Sequence, residues 1–117
     1  MQIPMQEVVM EETFFVSLDV QSTINVIDNA VVSGSITGER IDHYGVAAPQ
    51  GGGFVVLVYE KHYYRAGNRL TLTVVIDDLT GRTRVHSVGG GGGEGLFRFD
   101  WGASKSFSGA VANALAS

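Results

Sequence analysis

Apolar and polar residues alternate along several segments of the chain, which is the pattern of β-strands. Residues 13–18 show this alternation first, and residues 70–76 show it most regularly. Residues 54–63 are almost continuously apolar. This predicts a strand covered on both faces, or one that meets a helix on one face and a partner on the other. Weaker patterns predict three further strands, at residues 35–44, 82–88 and 96–101.

Two segments change to helical spacing, with apolar residues recurring every three or four positions. The first covers residues 20–31, where Asp19 is placed to cap the beginning and Gly34 to end the helix. Its β-branched residues have low helix propensity, so tertiary packing must hold it. The second covers residues 107–115, and Ser104 precedes it as a candidate cap.

The connections between these elements are short and rich in turn residues. Residues 77–81 predict a tight hairpin in which Gly81 takes the left-handed position. Residues 65–68 predict a second turn, and residues 45–53 a loop. Short links between successive strands favour an antiparallel sheet.

The predicted element order is therefore β-α-β-β-β-β-(β)-α. This order indicates an α+β fold, in which an antiparallel sheet of about five to six strands has two helices packed on one face. A helix-grip variant, with the sheet curved around the C-terminal helix, stays open. We expect a single α+β domain over residues 1–117, with residues 1–10 loosely ordered.

Composition limits the functional classes. An apolar fraction of 44% and a charged fraction of 17% are typical of an ordered globule. The net charge of −4 disfavours general binding to nucleic acid. The absence of cysteine excludes a disulfide scaffold, thiolate catalysis and cysteine-ligated metals.

No targeting or membrane segment is predicted. Residues 1–12 contain three glutamates and no lysine or arginine, unlike a signal peptide. The longest apolar run, residues 54–59, is far shorter than the roughly 20 residues of a membrane helix. We expect a cytoplasmic protein that binds no membrane.

Glycine is the most unusual feature of the composition, because six of the seven residues from Gly89 to Gly95 are glycine. A loop of this kind can turn its backbone N–H groups towards an anion, and this makes Gly91, Gly92 and Gly93 candidate ligand-binding residues. A phosphate-binding fingerprint is absent, and the run leads into a predicted strand instead of a helix. The alternatives are a flexible hairpin loop and a bulged strand that a neighbour approaches closely.

Tyr64 and Arg65 form a second candidate site at the end of the apolar strand. Arginine donates paired hydrogen bonds to a carboxylate or phosphate, and tyrosine adds another. The same residue types are also frequent in protein interfaces. Plain packing at a strand end is the third interpretation.

Arg84 is the third candidate, since it alternates with Arg82 and His86 on one face of a predicted strand. This basic strip is suited to an acidic partner or a phosphate. The alternative is a solvated face in which the cations form cross-strand pairs, for example with Glu60 or Asp77. We favour the cross-strand pairs.

Catalytic and metal-binding motifs are absent. The three histidines, His43, His62 and His86, show no metal-binding spacing. No nucleophile motif surrounds a serine. The acidic pair Asp77 and Asp78 is explained by the predicted turn. We therefore predict no catalytic residue, no metal and no cofactor.

Two motifs resemble a known family. The first, Tyr63-Tyr64-Arg65-Ala66-Gly67-Asn68, leads into a strand; the second, Phe99-Asp100-Trp101-Gly102-Ala103, follows the glycine run. Together they resemble a family of small bacterial proteins classed as a domain of unknown function. The resemblance covers most of the chain from about Phe14. It implies a stand-alone domain and supplies no activity, cofactor or site residue.

Three functional hypotheses follow. The first is a small non-enzymatic module that binds a protein partner or a ligand, with self-association into a homo-oligomer as one form. The second is an enzyme or binder that holds a small anionic ligand between the glycine loop and tyrosine and arginine side chains. The third is a cavity protein for an apolar ligand.

Overall fold

The computed structural model of the chain describes residues 10–33, 38–63, 68–91 and 107–116. They contain five strands and two helices. The strands are β1 (Met10–Val16), β2 (Glu39–Ala47), β3 (Gly53–Tyr63), β4 (Asn68–Asp77) and β5 (Thr83–Gly91), and the helices are α1 (Val20–Asp28) and α2 (Phe107–Ala116). A π turn, Asn29–Ser33, continues α1.

The strands form one antiparallel sheet in the order β1-β5-β4-β3-β2. Three hairpins place β2, β3, β4 and β5 side by side, and β1 then pairs with β5, so β1 and β2 lie at the two edges. The predicted α+β class is confirmed. The additional strand predicted at residues 96–101 lies outside the described residues.

Two predicted boundaries are wrong. Residues 45–47, predicted as loop, continue β2 and pair with β3. Residues 89–91, predicted as the beginning of a glycine loop, continue β5 and pair with residues 70–72 of β4. In both places glycine has a low strand propensity, but the backbone ladder to a well-patterned neighbour outweighs it.

The side chains of the sheet point alternately to two faces, which differ in character. Both helices pack on the inner face, where α1 lies over β4 and α2 lies against β1 and α1. Aliphatic and aromatic residues from both layers fill the space between them. The buried core contains Ile24, Ile27, Val31, Val55, Leu57, Tyr59, Leu72, Val74, Ile76, Val85 and Val111.

Helix α1 begins as its sequence predicts. The carboxylate of Asp19 accepts a hydrogen bond of 2.8 Å from the backbone N–H of Ser22. The backbone oxygen of Asp19 also accepts from the N–H and the hydroxyl of Thr23. These bonds satisfy donors that would otherwise be unpaired at the beginning of the helix.

Helix α2 is held by a residue distant in sequence. The backbone N–H of Ser108 donates to the carboxylate of Glu12 in β1 at 3.2 Å, and the Ser108 hydroxyl donates to the same carboxylate. A negative charge at a helix N-terminus is favourable because the helix dipole is positive there. The predicted cap, Ser104, lies outside the described residues.

A buried phenol connects the end of α1 to the sheet. The hydroxyl of Tyr59, a residue only 1% exposed, donates a 2.6 Å hydrogen bond to the carboxylate of Asp28. Arg40 in β2 donates to the other oxygen of that carboxylate at 2.9 Å. Burial, followed by the hydrogen bond to Asp28, raises the pKa of Tyr59 far above its ordinary value, so the phenol stays protonated.

We expect Tyr59→Phe to lower the free energy of unfolding by about 1–2 kcal/mol, because a buried hydrogen bond to a carboxylate is lost while the ring still packs. Urea denaturation monitored by circular dichroism measures this change. Tyr44→Phe is the matched control, since Tyr44 is 59% exposed and makes no hydrogen bond with a described residue. Equal stability of the two variants would contradict the role of Asp28 as an anchor.

Stability should also depend on pH through Asp19. Hydrogen bonds from Ser22 lower the pKa of the Asp19 carboxyl below its ordinary value of 3.8. The folded state therefore binds the proton more weakly than the unfolded state, so the capping contribution is present above about pH 4 and is lost as the pH falls further. An asparagine at this position would also cap the helix, but its side chain does not titrate.

The free energy of unfolding of the wild type minus that of Asp19→Asn should therefore decrease between about pH 5 and about pH 2. Thermal unfolding at a series of pH values tests this. A difference that stays constant with pH would show that the carboxylate does not contribute through its charge.

Candidate functional site: the outer face of the sheet

The structure describes part of the predicted ligand-binding set. Tyr64, Arg65, Gly92 and Gly93 lie outside the described residues, so their proposed role stays a prediction. Gly91 is the last residue of β5 and pairs with Leu70 of β4. Arg84 lies on the outer face of the sheet, opposite to the helices.

Arg84 pairs with Asp77, its neighbour on the adjacent strand. Its Nε donates to one carboxylate oxygen at 3.0 Å, and its Nη2 donates to the other at 3.2 Å. Asp77 is only 7% exposed and also accepts a bond from the backbone N–H of Leu79, which forms the predicted turn. The favoured interpretation of this cation, a cross-strand pair with Asp77, is thus what the structure contains.

The other two cations of the strip have different surroundings. The guanidinium of Arg82 stacks over the ring of Phe15 at 4.1 Å from its centre, and it makes no ion pair with a described residue. His86 shares a 2.7 Å hydrogen bond with the hydroxyl of Thr13, and its Nε2 lies 3.7 Å from a carboxylate oxygen of Glu11. Arg82 is therefore the cation that remains available to an acidic group.

His43 and His86 lie on opposite faces of the sheet. His43 pairs with Leu57 and so lies on the inner side of the sheet, whereas His86 pairs with Val75 and lies on the outer side. Within residues 10–33, 38–63, 68–91 and 107–116, no group of three or more potential metal-ligating side chains is close enough to hold an ion.

An apolar cluster lies on the outer face where β2, β3 and β4 are neighbours. Tyr44 is 59% exposed and Val46 42% exposed, and the ring of Tyr44 lies 6.5 Å from that of Phe54. Neither helix lies on this face. We call the following cluster the apolar patch: Tyr44, Val46, Phe54, Val56, Val58 and Val75.

The sequence contained part of the signal for this patch. Continuous apolarity in residues 54–63 indicated a strand covered on both faces, or one that meets a helix on one face and a partner on the other. The inner side of β3 does meet the helix layer, through Val55, Leu57 and Tyr59. Val46 was missed because residues 45–53 were predicted as a loop, and a loop residue has no assigned face.

Comparison with known proteins adds one finding. Residues 10–117 match the Family of unknown function (DUF6054). The chain belongs to this family. No curated protein and no solved structure matches the chain. Family membership carries no activity or ligand with it, so any function must be argued from the geometry.

None of the helices in the described part of the chain has the length and apolar character needed to cross a membrane.

The pair between Arg84 and Asp77 predicts a specific effect on stability. Arg84→Gln should lower the free energy of unfolding by about 1–2 kcal/mol, because the buried Asp77 carboxylate loses one partner. Solvent screening of the partly exposed guanidinium limits the size of this loss. Arg82→Gln, which removes only an exposed stacking contact, should cost about 0.5 kcal/mol. Chemical denaturation of both variants gives the comparison, and the reverse order would contradict a structural role for Arg84.

Proposed function

We propose that the protein is a non-enzymatic interaction module that associates with a second copy of itself through the outer face of its sheet. The observation that supports this most strongly is the apolar patch. An antiparallel sheet with one solvated face normally alternates apolar and polar residues, and β3 does not. Valines and aromatic rings on a face that neither described helix covers indicate a surface that is covered by another molecule.

The size of the face suits a protein partner. Five strands about 4.8 Å apart, with seven paired residues rising about 3.4 Å each, span roughly 24 by 24 Å. The flat area of this face is about 600 Å², and protruding side chains add to its accessible surface. It approaches the roughly 800 Å² that each partner contributes to a standard interface. An interface between two copies uses the same patch twice, so the apolar surfaces meet each other.

The charges on the face also favour a second copy. Arg82 lies at the corner where β1 ends and β5 begins, and Asp42 lies near the beginning of β2, at the diagonally opposite corner. Neither residue makes an ion pair with a described residue. A two-fold axis along the other diagonal places each charge over its opposite on the partner. The strands of the two copies then cross at near right angles, which is one of the two common sheet packings.

The anionic-ligand hypothesis receives less support. It requires Tyr64, Arg65, Gly92 and Gly93, which lie outside the described residues. Arg84, the described member of that set with a charged side chain, directs two of its donors at Asp77.

Self-association can be tested with one substitution in the patch and one outside it. Val56→Lys places a charge at the centre of the patch and should weaken the dimer at least about 30-fold, as a central hot-spot residue does. Leu79→Lys is the matched control, because Leu79 is 58% exposed in the β4–β5 turn, away from the patch. Sedimentation velocity over a range of protein concentrations measures the dissociation constants, and circular dichroism verifies that each variant is folded.

A charge exchange tests the orientation of the two copies. Arg82→Glu and Asp42→Arg should each weaken the dimer, and the double variant should recover most of the loss because the opposite charges meet again. A wild-type chain that stays monomeric at millimolar concentration would overturn the proposal as a whole. Additive losses in the double variant would overturn only the diagonal arrangement.

A further inference from the structure

Strand β2 presents a free edge. Among the described residues it lies at the end of the sheet and pairs only with β3, and all nine of its residues are exposed. An edge strand offers a row of unpaired backbone N–H and C=O groups to which another strand can bind.

Features that protect sheet edges flank this edge but do not occupy it. A bulge at one end makes Ile41 an extra residue between Arg40 and Asp42, and Pro49 follows the other end. Between them, residues 42–47 stay in regular register with β3 and contain neither lysine nor proline. Bulges, lysines and prolines are the common means by which proteins block an edge, so a segment of six residues is left open.

A groove runs along the inner side of the same edge. It has a volume of about 500 Å³, within the range of sites that hold organic ligands. Helix α1 lines one wall with Val20 and Ile24, and β2 lines the other with His43, Gly45 and Ala47. Because Gly45 and Ala47 are small, the inner side of β2 has little side-chain volume of its own.

The backbone conformation at residue 45 does not require a glycine. Its φ is not positive, and a Cβ added there would meet the Phe54 oxygen at 3.5 Å and a Val55 methyl at 3.6 Å, both ordinary contacts. A larger residue would therefore fit the backbone, and valine has a higher strand propensity. Glycine at this position keeps the groove open.

In the described part of the chain, the charges around the edge that make no ion pair are acidic. Arg40 is neutralised by Asp28 at 2.9 Å. Asp42 makes no ion pair with a described residue, and Asp78 lies at the end of the groove, where one of its oxygens accepts from the Gly53 N–H. An incoming segment with basic side chains would be complementary to this pair of carboxylates.

From these observations we propose that residues 42–47 bind an extended, basic segment of another protein, which adds to the sheet as a further strand beside β2. Its backbone would pair with the free edge. Alternate apolar side chains would enter the groove next to Val20 and Ile24, and lysine or arginine side chains would lie near Asp42. Strand addition of this kind takes affinity from the backbone and specificity from alternate side chains.

This site is separate from the self-association proposed above. Strand addition uses the backbone edge and the inner groove, whereas self-association uses the outer face; Asp42 is the residue that both proposals use. Either one can therefore fail while the other holds, and the Val56→Lys variant allows the edge to be studied without the dimer.

The test uses two synthetic peptides with fluorescein labels and blocked ends. The basic peptide is Lys-Val-Lys-Val-Thr-Val-Lys, and the acidic peptide has Glu at each Lys position. Fluorescence anisotropy against the full chain, in wild-type and Val56→Lys form, should give at least about tenfold tighter binding of the basic peptide. Hydrogen exchange should show protection of the amides of residues 42–47 when that peptide is bound.

Two glycine variants locate the binding. Gly45→Val fills the groove and should weaken the basic peptide at least about tenfold, since its apolar side chains lose their place. Gly90→Val is the matched control, a glycine in β5 whose added Cβ would meet only the Thr71 hydroxyl, at 3.9 Å. Equal binding of both peptides, an unchanged affinity of Gly45→Val, or protection confined to other strands would overturn the proposal. The proposal would also be overturned if the Val56→Lys variant dimerised and its β2 amides were protected without added peptide. In that case a second copy of the chain would occupy the edge.

Discussion

The small amount of helix in the described residues is the constraint on which the rest of their arrangement depends. Helix α1 has nine residues and α2 has ten, which makes them about 14 and 15 Å long, and the π turn adds five residues to α1. Two such helices can cover most of one face of a five-stranded sheet, and they cannot cover both faces. The core is accordingly one-sided, and β2, at the edge far from α2, is exposed along its whole length.

Short helices also explain why polar residues tie the two layers together. Helices of this length bury too little area to be stable alone, and their positions must be set by specific contacts. The Asp28 carboxylate receives the buried phenol of Tyr59 at one end of α1, and the Glu12 carboxylate receives the first turn of α2. Each contact joins a helix terminus to a strand, which directs the helices to the inner face and leaves the outer face open.

Contacts between residues that are close in the chain could be predicted from the sequence, whereas contacts between distant residues could not. The Asp19 cap and the turn at Gly81 were predicted because their partners are a few residues away. The pair between Arg84 and Asp77 was anticipated because a hairpin makes the two strands neighbours. The contact of Glu12 with Ser108 spans 96 residues and leaves no local pattern, so it could not be predicted. Residues 45–47 at the end of β2 were predicted as loop because Gly45 has a low strand propensity, and the sequence does not show that β3 pairs with them.

Apart from Asp42, the two exposed surfaces of β2 use different chemical groups, and this allows them to be occupied together. Packing of two outer faces covers side chains that point away from the helices, while the hydrogen-bonding groups of the edge lie in the plane of the sheet. A two-fold dimer would therefore keep two β2 edges available. A partner that carries two suitable segments would gain avidity from binding both, provided that its linker spans the distance between them. Self-association would then strengthen peptide binding without any change at the edge itself.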